Sequence, residues 1–95
     1  MIKHVYLFKL KPHIDPKEVA RKLYTLKEKI PAIHEIEVGF DFRNEQNSYD
    51  LIECCTFLTM EDFRDFIQND YHDSIRKYMK SVQESGIKID YEILT

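Results

Sequence analysis

Met1-Ile2-Lys3-His4-Val5-Tyr6-Leu7-Phe8-Lys9-Leu10-Lys11 opens the chain. Successive side chains on a strand point to opposite faces. Read that way, Ile2, His4, Tyr6, Phe8 and Leu10 share one face, while Val5 and Leu7 lie between Lys3 and Lys9 on the other. Both faces carry apolar residues, so this first strand is expected to be covered on both sides. His4 sits inside an apolar row, a position that asks for an explanation: either a buried histidine hydrogen-bonded within the protein or a group that meets a ligand.

Working outward, the strand ends near Lys11-Pro12. Asp15 is placed to cap a helix, Pro16 suits its first position and Glu18 completes a capping box. Val19, Leu23, Leu26 and Ile30 then recur at i, i+4, i+7 and i+11, an apolar stripe opposed by a solvated, charged face. Ile30-Pro31 stops this helix, because proline disfavours helical geometry in the residue before it. Residues 33–42 read as a second strand, with Ile36, Val38, Phe40 and Phe42 on one face. Glu35, Glu37, Gly39 and Asp41 share the other, whose carboxylates look like a solvated edge row rather than acid–base machinery. Gly39 in mid-strand points to a bulge or a close approach. A polar turn over 43–48 leads to a third strand over 49–57, antiparallel to the second. Its odd row is Tyr49, Leu51, Glu53, Cys55 and Phe57.

Thr59 is the expected N-cap of a second helix, with Glu61 and Asp62 in its first turn and Phe63, Phe66 and Ile67 as its apolar stripe. The pattern stumbles at Asn69-Asp70, where Asp70 is expected to cap a new helical segment. Tyr71, Ile75, Tyr78, Met79 and Val82 continue it to about Glu84, and Ser85-Gly86 reads as a stop. Ile87, Ile89, Tyr91 and Ile93 alternate with Lys88, Asp90 and Glu92 as a last strand.

Strand, helix, strand, strand, helix, strand is the order of a ferredoxin-like βαββαβ α+β fold. Right-handed crossovers put two helices on one face of a four-stranded antiparallel sheet. The other sheet face would be bare, yet it is apolar on several strands. A two-fold homodimer that packs sheet on sheet buries it.

The 95 residues suit a single domain over 1–95, and 43% hydrophobic content suits a globule. The net charge of -3, with basic residues scattered, gives no reason to expect nucleic acid. No apolar run approaches a membrane span, and no signal peptide precedes the first strand. Cys54 and Cys55 are neighbours on a strand and point apart, so they read as two reduced structural thiols in a reducing, cytoplasmic setting. With two glycines in all, there is no phosphate-cradling loop, and neither G-x-S-x-G nor H-E-x-x-H occurs. No cofactor is expected.

Six segments together resemble the stress-responsive dimeric α/β-barrel (Dabb) domain family. They are residues 1–11, Ile30-Pro31-Ala32-Ile33, Glu37-Val38-Gly39, Tyr49-Asp50-Leu51, Phe66-Ile67-Gln68-Asn69-Asp70-Tyr71-His72 and Ile89-Asp90-Tyr91-Glu92. The resemblance covers essentially the whole chain in order. It implies a ferredoxin-like subunit whose sheet joins a partner's to form a barrel. In a plant polyketide cyclase of that family, a histidine in the kinked second helix and a nearby tyrosine promote cofactor-free aldol closure. His72 matches that histidine, the second in a His-Pro-x-His kink, and His4 matches the family's first-strand histidine. Asn69-Asp70 replaces His-Pro, and Phe66 stands at the tyrosine position without its hydroxyl, which speaks against carrying the mechanism over unchanged.

His72 is followed by Ile75 and Met79 at i+3 and i+7, so it is expected to turn toward the core, where it would meet His4 if the first strand's apolar row faces the helices. The candidate ligand-binding set is His4, Tyr6, Phe8, Phe66, Asn69 and His72, with His72 as the candidate general base. His13 and His34 are expected in exposed loops, and no metal site is expected, since His4 and His72 lack an evident third ligand. Three readings follow: a homodimer with a pocket for a small apolar or phenolic ligand, a cofactor-free cyclase-like enzyme, and a purely structural dimerisation module with Tyr6, Phe8, Phe66 and Tyr78 filling the space.

Overall fold

The computed structural model describes residues 1–94. The chain runs β1 (Ile2–Leu10), α1 (Pro16–Lys29), β2 (Glu35–Phe40), β3 (Leu51–Phe57), α2 (Met60–Gln68), α3 (Asp70–Val82) and β4 (Gln83–Glu92). The four strands form one antiparallel sheet in the order β2-β3-β1-β4. This is the ferredoxin-like arrangement. Among the described residues the helices number three rather than two, because α2 and α3 share the place of a single second helix.

Local chemistry accounts for most boundaries. Asp15 caps α1 by accepting from the Lys17 N–H, and Pro16 occupies the first turn, where a missing N–H costs nothing. Thr59 caps α2 by accepting from the Asp62 N–H. Asn69, not Asp70, caps α3: its Oδ1 accepts from the N–H groups of both Tyr71 and His72. A side-chain oxygen at this position satisfies donors that a helix start leaves unpaired.

The last boundary differs most from the expectation. The helix ends at Val82 and the chain enters β4 at once, so Ser85-Gly86 belongs to a strand. Two long-range contacts override the local signal. The Lys11 N–H donates to the Val82 carbonyl at 2.9 Å, and Gly86 pairs opposite Phe8 beneath the ring of Tyr6. Strands β2 and β3 are also shorter than expected. Gly39 makes no bulge; it pairs in register with Ile52, whose Cγ2 would lie 3.2 Å from an added Cβ. Asp50, just before β3, bonds through its backbone to Phe8 and Asp41, and its carboxylate further ties the turn to β1 by accepting from the Leu10 N–H at 2.7 Å.

Ile2, Phe8, Leu51, Cys55 and Phe57 on the sheet pack with Val19, Leu23, Leu26, Phe66, Ile75 and Met79 from the helices in one core. The other sheet face carries Val5 and Leu7 of β1, Ile52 and Cys54 of β3, and Ile87, Ile89 and Tyr91 of β4. Ile87 and Ile89 remain 54% and 59% exposed there. Among the described residues no helix is long and apolar enough to cross a membrane.

Candidate functional site

Register across the sheet brings the site together. His4 on β1 lies opposite Asp90 on β4 and opposite Cys55 on β3. Tyr6, one step along the same row, lies opposite Lys88 and Glu53. All of these sit on the side that faces the helices. The turn at Asn69 changes the course of the chain between α2 and α3 and sets His72 in the first turn of α3, over this row. The ring of His72 stacks on Phe66 with centroids 3.9 Å apart, and it meets His4 edge-on at 6.4 Å.

Between these elements is a cavity of about 190 Å³ lined by His4, Tyr6, Phe8, Glu53, His72 and Met79, with Arg76, Lys80 and Lys88 also on its wall. A dry cavity of roughly 150 Å³ accepts a benzene ring, so this space suits a one-ring molecule. Of the candidate binding residues, His4, Tyr6, Phe8 and His72 line it, while Phe66 and Asn69 do not. Phe66 lies behind His72 as fully buried packing, and Asn69 is occupied as the cap of α3. Tyr6 and Phe8 stack on one another at 4.3 Å. His13 and His34 are exposed and take no part.

The two imidazoles have different partners. His4 Nδ1 is hydrogen-bonded to Asp90 Oδ1. Burial works to raise the Asp90 carboxyl, but hydrogen bonds from His4 and Lys88 outweigh it and hold it below the usual carboxylate range. An ionised carboxylate only accepts, so His4 carries its proton on Nδ1 and turns Nε2 toward Glu53, whose Oε2 is 3.8 Å away. The Nδ1–H of His72 donates to the Phe66 carbonyl at 3.0 Å. Burial, reinforced by the nearby Arg76 and His4, lowers the His72 pKa to about 4. The ring is therefore neutral near neutral pH, with Nε2 as its free acceptor.

Glu53 and Asp90 belong to this site and were not singled out from the sequence. Glu53 is 4% exposed and accepts from the Cys55 thiol at 3.4 Å. Burial pushes its carboxyl up, only partly offset by His4 and by that thiol. The signal for Glu53 lay in its row, where Leu51, Cys55 and Phe57 make a lone acid as much out of place as His4. Asp90 carried no such signal, because it alternates with apolar residues in the manner of any solvated strand position. Cys54 and Cys55 are free and buried, and burial raises both thiols, so neither has the character of a nucleophile. Among the described residues no group of three His, Cys, Asp or Glu side chains is placed to hold a metal ion.

A family model described as the stress responsive A/B barrel domain matches residues 2–93. No curated protein matches the chain significantly. Among solved structures, a protein from Arabidopsis thaliana superposes with a TM-score of 0.87 at 22% identity, covering 100% of this chain and 97% of that one. A hydroxynitrile lyase from Passiflora edulis gives a TM-score of 0.85 at 17% identity over 98% of this chain and 93% of that one. A dimeric protein of unknown function and ferredoxin-like fold from Bacteroides fragilis gives 0.69 at 26% identity, over 97% and 95%.

Proposed function

Since the chain belongs to the stress-responsive A/B barrel domain family, we propose that residues 1–95 act as one homodimeric domain whose subunit cavity binds a small, mostly apolar ligand through a few placed polar groups. The observation that carries this reading is the cavity of about 190 Å³ with both His4 and His72 on its wall. An apolar space with a few convergent polar groups is the usual form of a ligand site. A purely structural module would fill that space with side chains. The homodimer follows from the apolar sheet face left open in one subunit, and the dimeric relative from Bacteroides fragilis supports it. Two free, buried thiols fit a reducing, cytoplasmic setting.

A second reading, cofactor-free proton transfer, is favoured by the His4–Asp90 pair. A carboxylate behind an imidazole fixes its tautomer and orientation and stabilises the imidazolium that forms when the ring takes a proton. On this reading His4 is the base and His72, whose basicity burial has lowered, is the acceptor that orients the ligand. This exchanges the role that resemblance assigns to His72. The hydroxynitrile lyase relative at 17% identity shares the fold and lends no residue to the argument.

The test is titration of isotope-labelled protein with one-ring aromatic fragments, followed at the imidazole nitrogens. Binding in the cavity moves the resonances of both His4 and His72. Fragments that bind without moving either, or a library from which nothing binds, remove the ligand-site reading. Once a turned-over compound is in hand, unchanged turnover in His4→Ala removes the catalytic one.

A further inference from the structure

A glutamate inside a core is unusual, because an acid almost never goes fully buried without a partner. Glu53 makes no ion pair with lysine or arginine among the described residues. Its cross-strand neighbours are Tyr6 on β1 and Val38 on β2. Cys55, two residues along β3, donates its thiol to Oε2. Asp90 on β4 is taken up by His4 and Lys88, and the helical side of the cavity presents His72, Ile75 and Met79 together with the cations Arg76 and Lys80. Among the described residues the one basic group within 4 Å of the carboxyl is His4 Nε2, and the 3.8 Å between them is too long for a direct hydrogen bond.

That spacing has a use. An oxygen atom seated in the cavity can lie at hydrogen-bond distance, about 2.8 Å, from both groups at once, at the apex of a triangle on the 3.8 Å base. We propose that Glu53 and His4 Nε2 form a two-point clamp for a ligand hydroxyl, so that the cavity selects one-ring phenols or enols over apolar molecules of the same shape. The proposal rests on the ligand-site reading above and adds to it the chemical class and the residue that selects it. The hydroxyl donates its proton to the lone pair of His4 Nε2 and accepts one from the Glu53 carboxyl. If the proton moves fully to Nε2, the imidazolium lies between the Asp90 carboxylate and the new oxyanion, and the Glu53 O–H stays with Glu53 as the donor to that oxyanion. No other reactant is needed. The burial that raises Glu53 acts toward the protonated form this role requires.

Phenol and toluene are the probes, nearly equal in shape and differing in the hydroxyl. Desolvation alone favours toluene in an apolar cavity. Wild-type protein is expected to bind phenol about tenfold or more tighter than toluene, the worth of a hydrogen-bonded hydroxyl with its partners in place. Glu53→Gln keeps a neutral donor and retains most of the preference; Glu53→Leu loses it while still binding toluene. Equal binding of the two probes by wild type, or a preference that survives in Glu53→Leu, overturns the clamp and leaves the ligand site standing. Binding of neither probe overturns both. Infrared spectroscopy of wild type supplies a readout that needs no folded Leu variant. A protonated-carboxyl stretch at neutral pH that disappears in Glu53→Gln supports the clamp, and its absence from wild type overturns it.

Discussion

His4 and Asp90, 86 residues apart in the chain, face one another on adjacent strands with the imidazole Nδ1 bonded to the carboxylate. The pair ties the first strand to the last and gives a 5%-exposed histidine its partner. Removing the acceptor strands a buried N–H, which costs more than the bond itself was worth. Asp90→Ala is expected to lower unfolding free energy by ~1–3 kcal/mol, and Asp90→Asn, which keeps an accepting oxygen, by clearly less. Urea unfolding of the three proteins measures it, and equal losses in the two variants would show that the bond to His4 is not the cause.

His72 contributes to the response to acid. Its pKa of about 4 lies below the ordinary imidazole value, so between roughly 4 and 6.5 the unfolded chain takes up a proton that the folded chain refuses. The contribution of His72 to stability therefore rises with pH through that window and falls as pH drops from about 6.5 toward 4, with up to roughly 3 kcal/mol at stake, while the raised Glu53 contributes with the opposite sign. His72→Phe keeps the stack on Phe66 and has no proton to gain. On going from pH about 7 to about 4.5 its unfolding free energy should fall less than that of wild type.

Asn69 holds the start of α3 through two accepted N–H bonds, one of them from His72 itself. Asn69→Ala is expected to cost about 1 kcal/mol, the ordinary worth of an N-cap, and to shift the His72 ring resonances. Asn69→Asp, also a good cap, should do neither. A shift of similar size in both variants would mean that the cap does not position the ring.

Gly86 leaves room for Tyr6. A Cβ there would collide with the Tyr6 ring and lie 3.1 Å from the Leu7 carbonyl oxygen. Gly86→Ala must therefore displace Tyr6 from the cavity wall, at a cost of ~1–3 kcal/mol typical of overpacking. Phenol or fragment binding should weaken along with stability. A variant as stable as wild type would show that the strand moves aside freely.

The open sheet face makes its own prediction. Ile89 is 59% exposed in the single subunit, in an apolar patch with Val5 and Ile87. Sedimentation at micromolar concentration is expected to give a dimer for wild type and a monomer for Ile89→Asp, since a two-fold interface buries the new charge twice. A wild-type monomer ends the homodimer proposal.

The sequence alone was enough for the order of the elements, the faces of the strands, the caps at Asp15 and Thr59, and the break near Asn69. These features arise from residues a few positions apart, through the two-residue repeat of strands, the 3.6-residue repeat of helices and the chemistry of helix ends. It also marked His4 and His72 as residues placed toward the core. What it left undecided depends on contacts between residues far apart. The last helix stops at Val82 because Lys11 and Tyr6 impose a strand there, and a local glycine signal carries no knowledge of them. Asp90 joins His4, and Glu53 faces its other nitrogen, because the register of three strands sets them in neighbouring rows. Register is a property of the paired sheet, so only the tertiary structure turned two scattered acids and two histidines into one site.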